Sequence, residues 1–223
     1  MAQAQPREGP LSRVSGAVYW YLVVGVLLIL TTLPGTLPLM VLDRSAGNIP
    51  LVALCLVPVG PAVAAGLFAL RDRTRAEALE PARSFLRGYR LNVGDVLRLW
   101  VPALAVEAII AISLANLEVT GVPAGYRSVL VVIAAMVAVW AGLALVIASL
   151  FALRTRDVAR LAAYYMARTP LAALGVLALL VVMAGLVYLT FDAVLGLVGP
   201  LLVHLLLRTC DRMVQDVEAN FVA

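Results

Sequence analysis

The arginine-rich stretch from Leu67 to Arg98, LFALRDRTRAEALEPARSFLRGYRLNVGDVLR, constrains this chain more than any other part of it. It carries seven of the seventeen arginines (Arg71, Arg73, Arg75, Arg83, Arg87, Arg90 and Arg98) between two apolar runs, each long enough to cross a bilayer. Guanidinium groups in short loops resist translocation, so this segment fixes the cytoplasmic side and the rest of the chain threads from it. Composition points the same way. Hydrophobic residues make up 63% of the chain, charged residues 13%, and the mean hydropathy is +1.01, whereas a soluble domain carries about a quarter charged residues. So much apolar surface cannot be hidden inside 223 residues. The expectation is an all-α integral membrane bundle.

Six spans are expected, at about residues 16–42, 50–70, 96–117, 128–153, 170–189 and 193–207. Residues 1–15 read as a disordered cytoplasmic tail. Pro34, Gly35 and Pro38 predict a kink or an end in span one, and Pro58, Gly60 and Pro61 predict a break within span two. Glu80-Pro81 opens a short amphipathic helix over residues 80–92. Arg83, Arg87 and Arg90 share one face; Ala82, Phe85, Leu86 and Tyr89 lie on the other. Gly94 ends this linker and Asp95 caps span three. Arg154 to Arg168 form a second basic loop, with Tyr164 and Tyr165 at interface depth. Residues 208–223 form a cytoplasmic C-terminal helix with Met213, Val217 and Phe221 on one face. This threading holds fifteen arginines inside and leaves Arg44 and Arg127 outside. It puts both termini in the cytoplasm, with the chain in the cell (plasma) membrane. The first apolar run has no small-x-small cleavage site and reads as an uncleaved span. Cys55 and Cys210 fall on opposite halves of the bilayer, which argues against a disulfide between them.

Two short patterns recur. Leu67–Arg71 (LFALR) returns as Leu150–Arg154, and Val59-Gly60-Pro61 returns as Val198-Gly199-Pro200, each time on an even-numbered span. Three repeated helical hairpins would produce this; so would chance in a chain rich in Leu, Ala, Val and Gly. The runs PVGPAVAAGLFALRD (Pro58 to Asp72) and PARSFLRGYRLNVGDVLRLW (Pro81 to Trp100) resemble the YesL-like family of six-span bacterial membrane proteins. In that family a Gly-Pro-containing second helix precedes a basic segment whose role is filled here by Phe85, Tyr89 and Asn92. The resemblance implies a link to carbohydrate uptake or utilisation, with a carbohydrate ABC transporter permease as partner, and implies no mechanism.

Glu107 lies about ten residues into span three, where an ionised carboxylate costs about 3 kcal/mol on insertion scales. It is either a proton, cation or polar-ligand site, or a neutral structural hydrogen-bonding group. His204, the only histidine, is four residues from Arg208. It is read either as a partner for Glu107 or as a group satisfied near the interface. The breaks at Gly60-Pro61 and Gly199-Pro200 could expose backbone groups to a ligand, or simply kink two spans. Tyr19, Trp20, Trp100 and Tyr126 read as interfacial anchors. The Arg83, Arg87, Arg90 face, with Phe85 and Tyr89 behind it, reads as a contact for anionic lipid or a protein partner.

No metal-spaced His/Cys set, phosphate loop or nucleophile–base arrangement is present, so neither an enzyme nor a cofactor is expected. Arginines held at a membrane surface have lipid phosphates to meet, which argues against nucleic-acid binding. Two functions remain. One is a non-enzymatic accessory membrane protein of carbohydrate uptake, docking by its basic surface. The other is a small transporter or channel whose path is lined by Glu107 and the broken spans two and six.

Overall fold

The computed structural model describes residues 10–43, 45–73, 80–117, 124–189 and 192–221; side chains are described from residue 15, except 124, 187–197 and 221. Every described element is a helix. They are α1 (Pro10–Val41), a 3-10 turn (Ala46–Asn48), α2 (Ile49–Cys55), α3 (Val59–Asp72), α4 (Pro81–Ala115), α5 (Ala124–Leu150), α6 (Thr155–Arg168), α7 (Pro170–Leu189), α8 (Asp192–Thr209) and α9 (Asp211–Phe221).

Four stretches are long and apolar enough to cross a membrane: Ser15–Val41, Ala46–Asp72, Pro81–Ala115 and Gly125–Leu150. The pair Thr155–Arg168 and Pro170–Leu186, bent by 101°, makes a fifth if it counts as one span. These are the lengths a multi-pass membrane protein needs.

The first span starts earlier than expected and is not interrupted. Helix α1 begins at Pro10, within the stretch read as a disordered tail, and runs through Pro34 and Pro38. Each proline forfeits one backbone hydrogen bond. In an apolar surrounding, leaving the helix would strand more groups than that, so the helix persists. Thr31 and Thr32 turn their hydroxyls back onto the carbonyls of Leu27 and Leu28, at 2.7 and 2.8 Å.

The break in the second span is where Pro58 predicts it. Pro58 has no N–H for Leu54, and Val57 takes that carbonyl instead at 3.1 Å. Residues 56–58 form a turn, and α3 restarts at Val59, with Gly60 and Pro61 in its first helical turn.

The largest correction concerns the arginine-rich stretch. Residues 80–92 are not a separate interfacial helix, Gly94 does not end a linker and Asp95 caps nothing. All of them belong to α4, a single helix of 35 residues, about 52 Å long at 1.5 Å per residue. Its N-terminal half packs antiparallel to α3, and this pairing is what keeps it helical through two glycines. Gly88 lets the Phe68 ring approach α4 closely. Phe85 is fully buried, and Ser84 donates a hydrogen bond to Asp72 at the tip of the hairpin.

The stretch read as a second basic loop is also a helix. In α6, Val158, Ala162 and Tyr165 are buried at i, i+4, i+7, while Arg156, Arg160 and Arg168 face outward. The sixth apolar segment is α8, 18 residues long, which extends to Thr209. The C-terminal helix forms as expected, with Met213 and Val217 fully buried. Phe221 lies outside the described side chains, as Thr190 and Phe191 of the expected turn lie outside the described residues.

Candidate functional site

The ends of α3 and α5, the middle of α4, and helices α6 and α9 are tied to one another by polar contacts that gather at the basic end of the bundle. Arg71 is the centre of these ties. It donates to the Leu150 carbonyl at 3.5 Å, lies over the Phe151 ring at 5.3 Å and pairs with Glu218. A guanidinium at the C-terminus of α5 meets the negative end of that helix, where cations are favoured. Asn92 donates to the Ser149 carbonyl at 3.2 Å, one residue before the end of α5. Asp95 accepts from Arg98 at 2.8 Å and from Thr155, the first residue of α6, at 3.3 Å. Tyr165 donates to Asp216 at 2.7 Å and fixes α9 against α6.

Arg83, Arg87 and Arg90 are exposed on the outer face of α4, flanked by exposed Leu86 and Leu91. Phe85 is buried and Tyr89 is half-buried against the core, as expected of the apolar face, whereas Ala82 and Leu86, expected beside them, are exposed with the arginines. Burial pushes the Tyr165 phenol up, aided by its hydrogen bond to Asp216. Burial likewise pushes the Cys210 thiol up to about 12. Both cysteines are free.

The two Val-Gly-Pro copies do different work. Trp100 lies on Gly60, where a Cβ would fall 2.6 Å from the ring, and its Nε1 donates to the Leu56 carbonyl at 3.0 Å. The break in span two is therefore covered by an indole from α4, which takes up the Leu56 carbonyl. Pro200 packs on Gly25 of α1 inside an unbroken α8, where a Cβ on Gly25 would meet its ring at 2.9 Å. The LFALR copies differ as well: the first is helical, whereas Phe151 to Arg154 of the second are non-helical. They meet each other through Arg71.

Two residues read as membrane-surface anchors are not at the surface. Trp20 is 1% exposed and donates to the Ala69 carbonyl at 3.2 Å; Trp100 is half-buried at the break in span two. Tyr19 and Tyr126 are exposed. Tyr165, expected at interface depth, is completely buried, while Tyr164 is exposed.

Glu107 falls on the inward stripe of α4 with Val96, Leu99, Ala103 and Ile110, all buried. Helix α4 packs on α5, whose facing stretch is apolar. One Glu107 oxygen, Oε1, is buried without a hydrogen-bond partner. A cavity of about 10 Å³ lies further along this seam, between Val96, Leu99, Trp100, Ala141, Leu145 and Ala148; that is room for one water at most. His204 is elsewhere. It meets the edge of Tyr21 of α1 at 5.7 Å between ring centroids, so the structure does not bring Glu107 and His204 together.

A second cavity, about 410 Å³, lies among α1, α3, α5, α7 and α8. Gly199 borders it; Gly60, Pro61, Pro200 and Glu107 do not. Its only hydroxyls, Thr32 and Thr36, donate to carbonyls of their own helix.

Among the described residues, no group of three or more His, Cys, Asp and Glu is placed to hold a metal ion. Together, fold and site define a bundle of apolar helices of membrane-spanning length with one basic, polar-tied end. The chain matches no protein-family model, no curated protein and no solved structure.

Proposed function

We propose that this chain is a non-enzymatic, six-pass membrane protein of the bacterial inner membrane, both termini cytoplasmic, acting as an accessory component of a carbohydrate uptake system. In this reading α7 and α8 are the fifth and sixth passes. Helix α6, at 101° to α7 and amphipathic, lies along the inner surface. The arginine distribution supports the orientation. The resemblance of Pro58–Trp100 to YesL-like proteins supports the link to carbohydrate uptake and a permease as partner.

The observation that carries the docking role is the display of Arg83, Arg87 and Arg90 on a helix pinned from behind by α3. A surface held rigidly loses little side-chain and backbone freedom on binding. The triple variant Arg83→Glu, Arg87→Glu, Arg90→Glu is expected to abolish co-purification with a carbohydrate permease from native membranes. Unchanged co-purification removes this surface from the proposal.

A transport role is the second reading, favoured by the buried, unpartnered Glu107 oxygen. The seam beside it is nearly solid, and the large cavity is apolar and does not reach it. The accessory reading therefore ranks first. Flux of a sugar or ion into proteoliposomes that disappears in Glu107→Ala would reverse that order.

A further inference from the structure

We propose a binding site for the headgroup of an anionic phospholipid at the basic end, where α1, α3 and α8 meet. Arg73, the C-cap of α3, stacks on the Tyr21 ring at 5.1 Å. The same ring meets His204 in a T-shaped contact, at 5.7 Å between centroids. Arg208 follows His204 by one helical turn, and both arginines lie within electrostatic range of the imidazole. Arg73 of α3 and His204 of α8 thus meet on the Tyr21 ring of α1, with Arg208 one turn beyond His204.

The charge at this place is unbalanced. Arg71, Arg83 and Arg98 pair with Glu218, Glu80 and Asp95, whereas no ion pair to Arg73 or Arg208 is found among the described residues. Among the described residues, Asp211 is the one acidic group acting on His204, against Arg73 and Arg208. Two guanidinium groups against one carboxylate leave a net positive cluster that a phosphate diester complements. Tyr21, Arg73 and His204 are half-buried and Arg208 is exposed, so the cluster is partly ordered by its neighbours and reachable from outside.

What surrounds it selects a lipid over a free anion. Val18 and Leu22 of α1, and Leu201 and Leu205 of α8, are exposed beside the cluster, offering an apolar track for an acyl chain below the headgroup. This site is separate from the Arg83, Arg87, Arg90 face and rests on the membrane reading above.

The test is native mass spectrometry of the full chain in detergent, delipidated and then offered phosphatidylglycerol or phosphatidylcholine. Phosphatidylglycerol is expected to be retained at least tenfold better than phosphatidylcholine. Arg73→Gln with Arg208→Gln removes that preference; Arg73→Lys with Arg208→Lys largely keeps it, which separates loss of charge from loss of fold. Arg156→Gln with Arg160→Gln, on α6, leaves it unchanged. Equal retention by the double Gln variant overturns the site. Inorganic phosphate that displaces phosphatidylglycerol at equal affinity overturns the lipid assignment. Release of the chain from membranes by alkaline carbonate defeats the membrane reading instead, and so distinguishes the two failures.

Discussion

Individual side chains in this protein serve mainly to close places where the backbone is interrupted. Trp100 covers the break between α2 and α3, and Gly60 gives it room. Trp100→Ala is expected to lower stability by about 3 kcal/mol, as large-to-small changes at packed aromatics do, read as a lower thermal midpoint in detergent. Gly60→Val, which forces the indole away, is expected to lower it as well. Two buried titratable groups make the basic end alkali-sensitive. The Cys210 thiol ionises near 9 when unfolded and near 12 when folded. Its contribution is therefore whole below pH 9 and is lost as pH rises through 9 to 12. The Tyr165 phenol, raised by burial, shifts stability in the same direction above its ordinary value of 10.0. Thermal midpoints measured from pH 7 to 11 should fall on the alkaline side, and less steeply in Cys210→Ala. The roles of Trp20 and Trp100 were not legible in the sequence. A tryptophan near a span end has the same local pattern whether it meets lipid headgroups or a neighbouring carbonyl, and only the partner helix decides.

At the scale of elements, α4 is the main lesson. Gly94 and the charges around it look like the end of a linker that separates the helix expected over 80–92 from span three, because glycine weakens a helix and charge favours water. Packing against α3 overrides that local preference along the first half of the helix. At Gly94 nothing lies within 4 Å of an added Cβ. Gly94→Ala should therefore stabilise the protein by about 1 kcal/mol, the helix-propensity difference, as it would not in a flexible linker. Spin labels at positions 87 and 98 should sit roughly 17 Å apart along the axis, as a continuous helix requires. The break at Pro58 and the start of α7 at Pro170 were legible, because proline's missing N–H acts whatever surrounds it. Helix α6 carried its signal too: Val158, Ala162 and Tyr165 recur at helical spacing, but the arginines between them read as a loop.

For the whole molecule, the arginine distribution is what the proposed topology rests on. Cysteines introduced in place of Ser45 and Tyr126 should react with a membrane-impermeant maleimide added outside intact cells. Cysteines in place of Arg87 and Ala219 should not react. Labelling of position 87 or 219 from outside would overturn the six-pass threading and with it the docking surface. Helices long and apolar enough to cross a membrane were legible from composition, since apolar residues stand in such excess. The site was legible only in part. Sequence spacing separates Arg83, Arg87 and Arg90 from Phe85 and Tyr89, but it gives no sign that Arg73, Tyr21 and His204 converge, because they come from three distant helices.

Arg71 has a consequence for the order in which the protein is made. Its guanidinium emerges from the ribosome with α3, the carbonyl at Leu150 follows a whole hairpin later, and Glu218 comes only in the last few residues. The nascent chain must therefore carry that cation without its Glu218 counter-charge until α9 has been made. Chains stopped before Asp211 should insert and then be cleared by proteases, so quality control would be reading the arrival of the last helix.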